Sequence, residues 1–85
     1  MVSGNPAELR NTAAKARSAQ QSLDSDLRAV ESAYNSLRFD VPNKSRIDDL
    51  LRDARQKLNT AKEGLGEFEK RLTSVAQQLE NINRG

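Results

Sequence analysis

The stretch from Ile47 to Ile82, IDDLLRDARQKLNTAKEGLGEFEKRLTSVAQQLENI, carries apolar residues at Ile47, Leu51, Ala54, Leu58, Ala61, Leu65, Phe68, Leu72, Val75, Leu79 and Ile82. The steps alternate between four and three without one polar interruption. An average near 3.5 residues is the spacing of a helix packed along a narrow seam. Upstream the same rhythm runs through Leu9, Ala13, Ala16, Leu23, Leu27, Val30, Tyr34 and Leu37, and only Gln20 breaks it. The pattern predicts an all-α chain, an antiparallel two-helix hairpin of coiled-coil type.

Capping chemistry sets the expected boundaries. Asn5-Pro6-Ala7-Glu8 offers an N-cap side chain, a proline where its missing N–H costs nothing, and an acid three residues after the cap. Helix 1 is therefore expected over about 6–38, about 50 Å at 1.5 Å per residue. Pro42 lacks a donor and biases Val41 toward extended backbone, which puts a turn at 39–45. Ser45 and Asp48 form a second cap signal, so helix 2 is expected over about 46–83, with Gly85 as its stop. Residues 1–85 then form a single hairpin domain. Gly64 and Gly66 each cost about 1 kcal/mol relative to Ala in a helix interior. The repeat keeps its phase from Ala61 through Leu65 to Phe68, so helix 2 is expected to continue through them. Gly64 and Gly66 read either as tolerated surface glycines or as a place where a partner backbone comes close.

A short turn permits only antiparallel packing. With the ends nearly flush, Leu37 lies opposite Leu51, Val30 opposite Leu58, Leu23 opposite Leu65, Ala16 opposite Leu72 and Leu9 opposite Leu79. A seam of two residues in seven is narrow for a free-standing bundle, where about three in seven are apolar. The flanking residues Ala14, Ala19, Ala29, Ala33, Leu50 and Ala76 would let a second hairpin approach. These features predict dimerisation into a four-helix bundle.

Composition narrows the function classes. Charged residues make up 31 %, aromatic residues 4 %, and there is no Trp, Cys or His. A compact core would lack large side chains, whereas a helical rod suits this mixture. No disulfide framework or thiolate metal site is possible. Without His or Cys, neutral-pH general-base work and thiolate attack lose their usual agents. Of Asp48, Asp49 and Asp53, two carboxylates at spacing four can share one helical face, but a two-helix hairpin encloses no pocket to perturb them. No enzymatic activity, cofactor or metal is expected. The segment Met-Val-Ser-Gly-Asn-Pro has no basic region followed by an apolar run, and no membrane-length apolar stretch follows. A leaderless route out of the cell, or residence in the cytoplasm before export, is the expected localisation.

Charge is uneven in one place. Over 6–37 and over 47–84 basic and acidic residues balance, so the net +2 lies at the turn, where Arg38, Lys44 and Arg46 face Asp40 alone. Nucleic-acid binding would need a basic stripe with stacking aromatics, which is missing. Phe39, just past helix 1, is expected to fold back over the open end of the seam, with partner docking as its second role. Candidate partner-binding residues are Arg38, Phe39, Val41, Lys44, Arg46, Leu50 and Gly64.

Two long amphipathic helices around the turn Leu37-Arg38-Phe39-Asp40-Val41-Pro42 make the chain resemble the Trp-X-Gly family, small helical hairpins exported by type VII secretion systems. Phe39 stands where that family has Trp, and Val41 where it has Gly. The family's C-terminal Tyr-x-x-x-Asp/Glu signature has no counterpart after helix 2. The resemblance implies a non-enzymatic secreted or co-secreted partner protein. Its partner would be itself, a related helical hairpin or the helical N-terminal domain of a toxin, one member carrying the signal for both. Two other readings fit length and pattern: a type III secretion needle-like filament subunit, and a generic coiled-coil adaptor or fragment.

Overall fold

The computed structural model describes residues 5–84. It consists of α1 (Pro6–Asn35) and α2 (Lys44–Arg84), antiparallel and packed along their lengths into a rod with extents of 66 × 16 × 16 Å. The chain is an all-α helical hairpin. The expected stop at Gly85 lies outside the described residues.

Local chemistry accounts for the ends. The Asn5 side chain accepts from the Ala7 N–H at 2.9 Å, and the Asn5 carbonyl accepts from the Glu8 and Leu9 N–H groups at 3.1 and 3.3 Å. Pro6 occupies the first helical position, where no donor is required. α1 ends three residues before Arg38: the Ser36 N–H closes back onto the Ser32 and Ala33 carbonyls, and the Leu37 N–H donates to the Tyr34 carbonyl. These tighter bonds end the α-helical ladder without a glycine.

α2 begins one residue before Ser45. Asn43, at φ 57°, takes the left-handed conformation that Asn tolerates better than most residues, and its carbonyl accepts the Ile47 N–H at 3.1 Å. Asp48 consequently sits inside the helix and serves another contact. α2 runs uninterrupted through Gly64 and Gly66.

The two repeats meet with a shifted phase. In heptad letters, a is 13, 20, 27, 34 on α1 and 51, 58, 65, 72, 79 on α2. The d column is 9, 16, 23, 30, 37 and 47, 54, 61, 68, 75, 82. The sequence predicts an a/d seam, and d residues do lie inward near the open end, where Ala16 is buried and Leu9 half-buried. Beyond Gln20 the inward columns are a and e: Asp24, Leu27, Glu31 and Tyr34 on α1. On α2, Leu51, Arg55, Leu58, Lys62, Leu65, Glu69 and Leu72 follow the same columns. The four-and-three rhythm survives while the contact line rotates by one residue.

The cause lies in the e column. Arg17 meets Glu69 at 3.1 Å, Asp24 meets Lys62 at 3.0 Å, and Arg55 reaches Glu31 at 2.6 Å and Asp24 at 3.0 Å. These pairs draw e toward e across the hairpin, and Arg55 and Lys62 are themselves half-buried, with side chains 24 % and 31 % exposed. At the open end Ala76, also in e, is fully buried beside the buried Ala13 and Ala16, where small side chains allow close approach. The ion pairs place residue 24 within two positions of the level expected from Leu23 opposite Leu65.

Gln20, the one polar residue in the α1 repeat, has a defined partner. Its Nε2 donates to the Lys62 carbonyl at 2.7 Å. That approach uses the space beside Gly66, where an added Cβ would stand 3.1 Å from Gln20 Nε2. A Cβ on Gly64 would meet nothing within 4 Å. Gly64→Ala is therefore expected to stabilise the hairpin by about 1 kcal/mol in denaturant unfolding. Gly66→Ala should gain distinctly less, because the Gln20 amide must move away from its acceptor.

Candidate interaction faces

The rotated contact line gives the rod two unlike flanks. On the e flank the cross-helix ion pairs form a ladder, extended toward the open end by Arg10 and Glu80 at 2.7 Å. The Asp24 carboxyl is held below the usual carboxylate range, first by the Lys62 ammonium and then by Arg55. Arg55 likewise holds Glu31 low, and the two acids raise the Arg55 guanidinium further. Desolvation opposes each carboxylate shift and is outweighed.

At the turn end a second polar cluster closes the hairpin. The Tyr34 hydroxyl donates to Asp48 Oδ1 at 2.7 Å, and Lys44 Nζ lies 3.0 Å from Asp48 Oδ2 and 5.6 Å from the Tyr34 ring centroid. Tyr34 and then Lys44 lower the Asp48 carboxyl, while the bond to Asp48 raises the Tyr34 phenol. Lys44, one of three cations assigned to a basic tip, thus has its charge matched within its own helix. Arg38 and Arg46 are exposed.

The opposite flank is apolar and uncovered. Leu23, Val30, Leu37, Phe68, Val75 and Ile82, all in d, are 37–68 % exposed. Leu50 joins them at 62 % from the neighbouring g column, which also contains Gly64. In an antiparallel pair whose e columns meet on one side, both d columns open on the other, so these residues share one face. Phe39 at the turn is 65 % exposed and does not fold over the seam; Val41 is half-buried there instead. Among the candidate binding residues, Leu50 and Gly64 share the apolar flank with the d residues. Arg38, Phe39, Val41, Lys44 and Arg46 lie at or beside the turn. A seam position reads as buried from sequence, so the d residues do not stand out as binding candidates there.

The whole chain exposes 6707 Å². A compact monomer of 9.4 kDa exposes about 5000 Å² by the usual scaling. The excess reflects the rod shape and the open d flank. The groove bounded by Arg17, Gln20, Asp24, Arg28 and Lys62 is open to solvent. Among the described residues no group of three or more acidic side chains is arranged to hold a metal ion. Within the same residues no helix is long and apolar enough to cross a membrane. Comparison with protein families, curated proteins and solved structures returns no match for this chain.

The lowered Asp24, Glu31 and Asp48 pKa values mean that each favours the folded state when ionised. That stability is present above the ordinary carboxylate range, about pH 4, and is lost as pH falls through the lower folded values. Tyr34 has the opposite sign: its contribution is present below about pH 10 and is lost as pH rises through the raised folded value. Thermal melts followed by circular dichroism should show a plateau between these limbs, and Tyr34→Phe should flatten the alkaline one. Phe39→Ala should change stability by less than about 0.5 kcal/mol, as expected for a side chain with little packing to lose.

Proposed function

We propose that this chain is a non-enzymatic protein-interaction module, a small helical partner in type VII secretion that is exported or co-exported. The observation that carries the first part is the continuous d flank, an apolar face of a kind that marks interaction sites when left uncovered. The secretion assignment is supported by the resemblance at Phe39-Asp40-Val41, joined now to an exposed Phe39 at the hairpin tip. A ring held against the seam would serve packing; an exposed ring is available to a partner. The partner class is another helical hairpin, which would cover the flank by adding two helices to the existing two.

Export is tested in the native host by following the protein in culture supernatant with and without the type VII ATPase. Loss from the supernatant when the ATPase is removed is the expected result, with the chain retained in the cells. Equal amounts outside the cell in both strains overturn the secretion assignment.

A further inference from the structure

We propose that the hairpin has a second seam available to it and that the ion-pair ladder is the latch that selects between the two. With Asp24 and Glu31 ionised, the contact line runs through a and e and the d flank stands open. With both neutralised, the helices rotate until a and d meet, and the flank closes. The device governs access to the face on which the interaction-module reading rests, but it is a rearrangement within one chain.

The two seams share a column. Leu27, Leu58 and Leu65 are half-buried a residues in the observed packing, and they are equally the a residues of an a/d seam. Passing from one seam to the other keeps them inside and exchanges only their neighbours, e for d. With 3.6 residues per turn, the exchange rotates each helix by about 50°, half the angle between successive residues. No backbone bond within either helix has to break. The cross-helix bonds of Gln20 and Tyr34 are given up, and the d side chains leave water in return.

α1 already contains both arrangements. Toward the open end, Ala16 of d is buried and the Arg17 side chain of e is 68 % exposed. Beyond Gln20 the order is reversed. The Asp24 and Glu31 side chains of e are 20 % and 29 % exposed, while Leu23 and Val30 of d are 37 % and 54 % exposed. The inward column changes where e first supplies acids to Arg55 and Lys62.

The chemistry of the two columns makes the latch conditional. Aliphatic d side chains gain by leaving water whatever their neighbours' charge. Half-buried ionised groups hold their place only while each keeps a partner of opposite sign, because removing one partner leaves a charge short of both water and counter-charge. Asp24 serves Arg55 and Lys62 at 3.0 Å each, and Glu31 serves Arg55 at 2.6 Å. Neutralising these two acids therefore strands both cations of α2 at once. The e column then gains by turning to solvent, and the apolar d column is the one that replaces it.

The chain has no cysteine, so a single introduced one reports the seam through its rate of reaction with a maleimide near neutral pH. Val30→Cys samples the open flank, and Ala76→Cys samples e at a position that is fully buried. With the ladder intact, the first should react readily and the second slowly. In the Asp24→Asn/Glu31→Gln background, Val30→Cys should slow at least about tenfold and Ala76→Cys should quicken by a similar factor, as expected when the open arrangement becomes a minor state. Unchanged rates in a variant that keeps its helicity by circular dichroism overturn the proposal. So does protection of Val30→Cys while Ala76→Cys stays shielded, which is what a second molecule lying on the flank would produce. Faster reaction at both positions overturns it as well, since the ladder then holds the hairpin together without selecting a seam. Asp26→Asn/Glu67→Gln removes the same charge from exposed positions outside the ladder and should leave both rates unchanged. The same exchange of rates in that variant overturns the assignment of the latch to the ladder. Neither rate reads export, so a negative result leaves the secretion reading standing, and ATPase-independent export leaves the switch standing.

Discussion

Arg55 lies between two acids of the opposite helix, and its geometry illustrates the constraint on which the hairpin depends. Its guanidinium reaches Glu31 at 2.6 Å and Asp24 at 3.0 Å, while Lys62 shares Asp24 from one heptad further along. A half-buried charge needs its partner close, because a bare charge removed from water is costly. Bringing these e residues together rotates both helices about their axes. The same rotation turns the d columns away from the seam beyond Gln20. The polar ladder and the apolar flank are therefore two results of one rotation.

This coupling also explains how so few residues are fully buried. Among the described residues only Ala13, Ala16 and Ala76 are buried, all near the open end, where the helices approach through small side chains. Elsewhere the seam is built of half-buried Leu residues edged by half-buried charged ones. A two-helix contact covers one side of each helix and leaves the remainder wet. The seam thus organises the hairpin while much of the apolar surface that could stabilise it stays available for another contact. Gln20 occupies the place where the inward columns change, and its bond to the Lys62 carbonyl ties the two helices at a specific level.

Much of this was legible in the residues. The two uninterrupted repeats led to two helices, Asn5-Pro6 to the first start, and unbroken phase across Gly64 and Gly66 to a continuous second helix. Leu50 and Gly64 could be singled out because small or apolar residues beside a seam are conspicuous. The d column could not be singled out. A heptad pattern states that a and d are apolar, and ordinary coiled-coil geometry then reads both as buried. Phe39 differs from its sequence reading for a related reason: an aromatic after a helix resembles a cap, but past the tight end at Ser36 the ring stands 65 % exposed while Val41 is half-buried.

The sequence by itself determined the class, two helices joined once and necessarily antiparallel, because periodicity and turn chemistry are local properties of the chain. Tertiary structure alone decided which columns face each other and which flank stays open. That choice depends on distances between side chains far apart in sequence: Arg17 with Glu69, Asp24 with Lys62, and Gln20 beside Gly66. Rotating a helix by one residue leaves its pattern unchanged when read along the chain, yet it moves a whole column between seam and solvent.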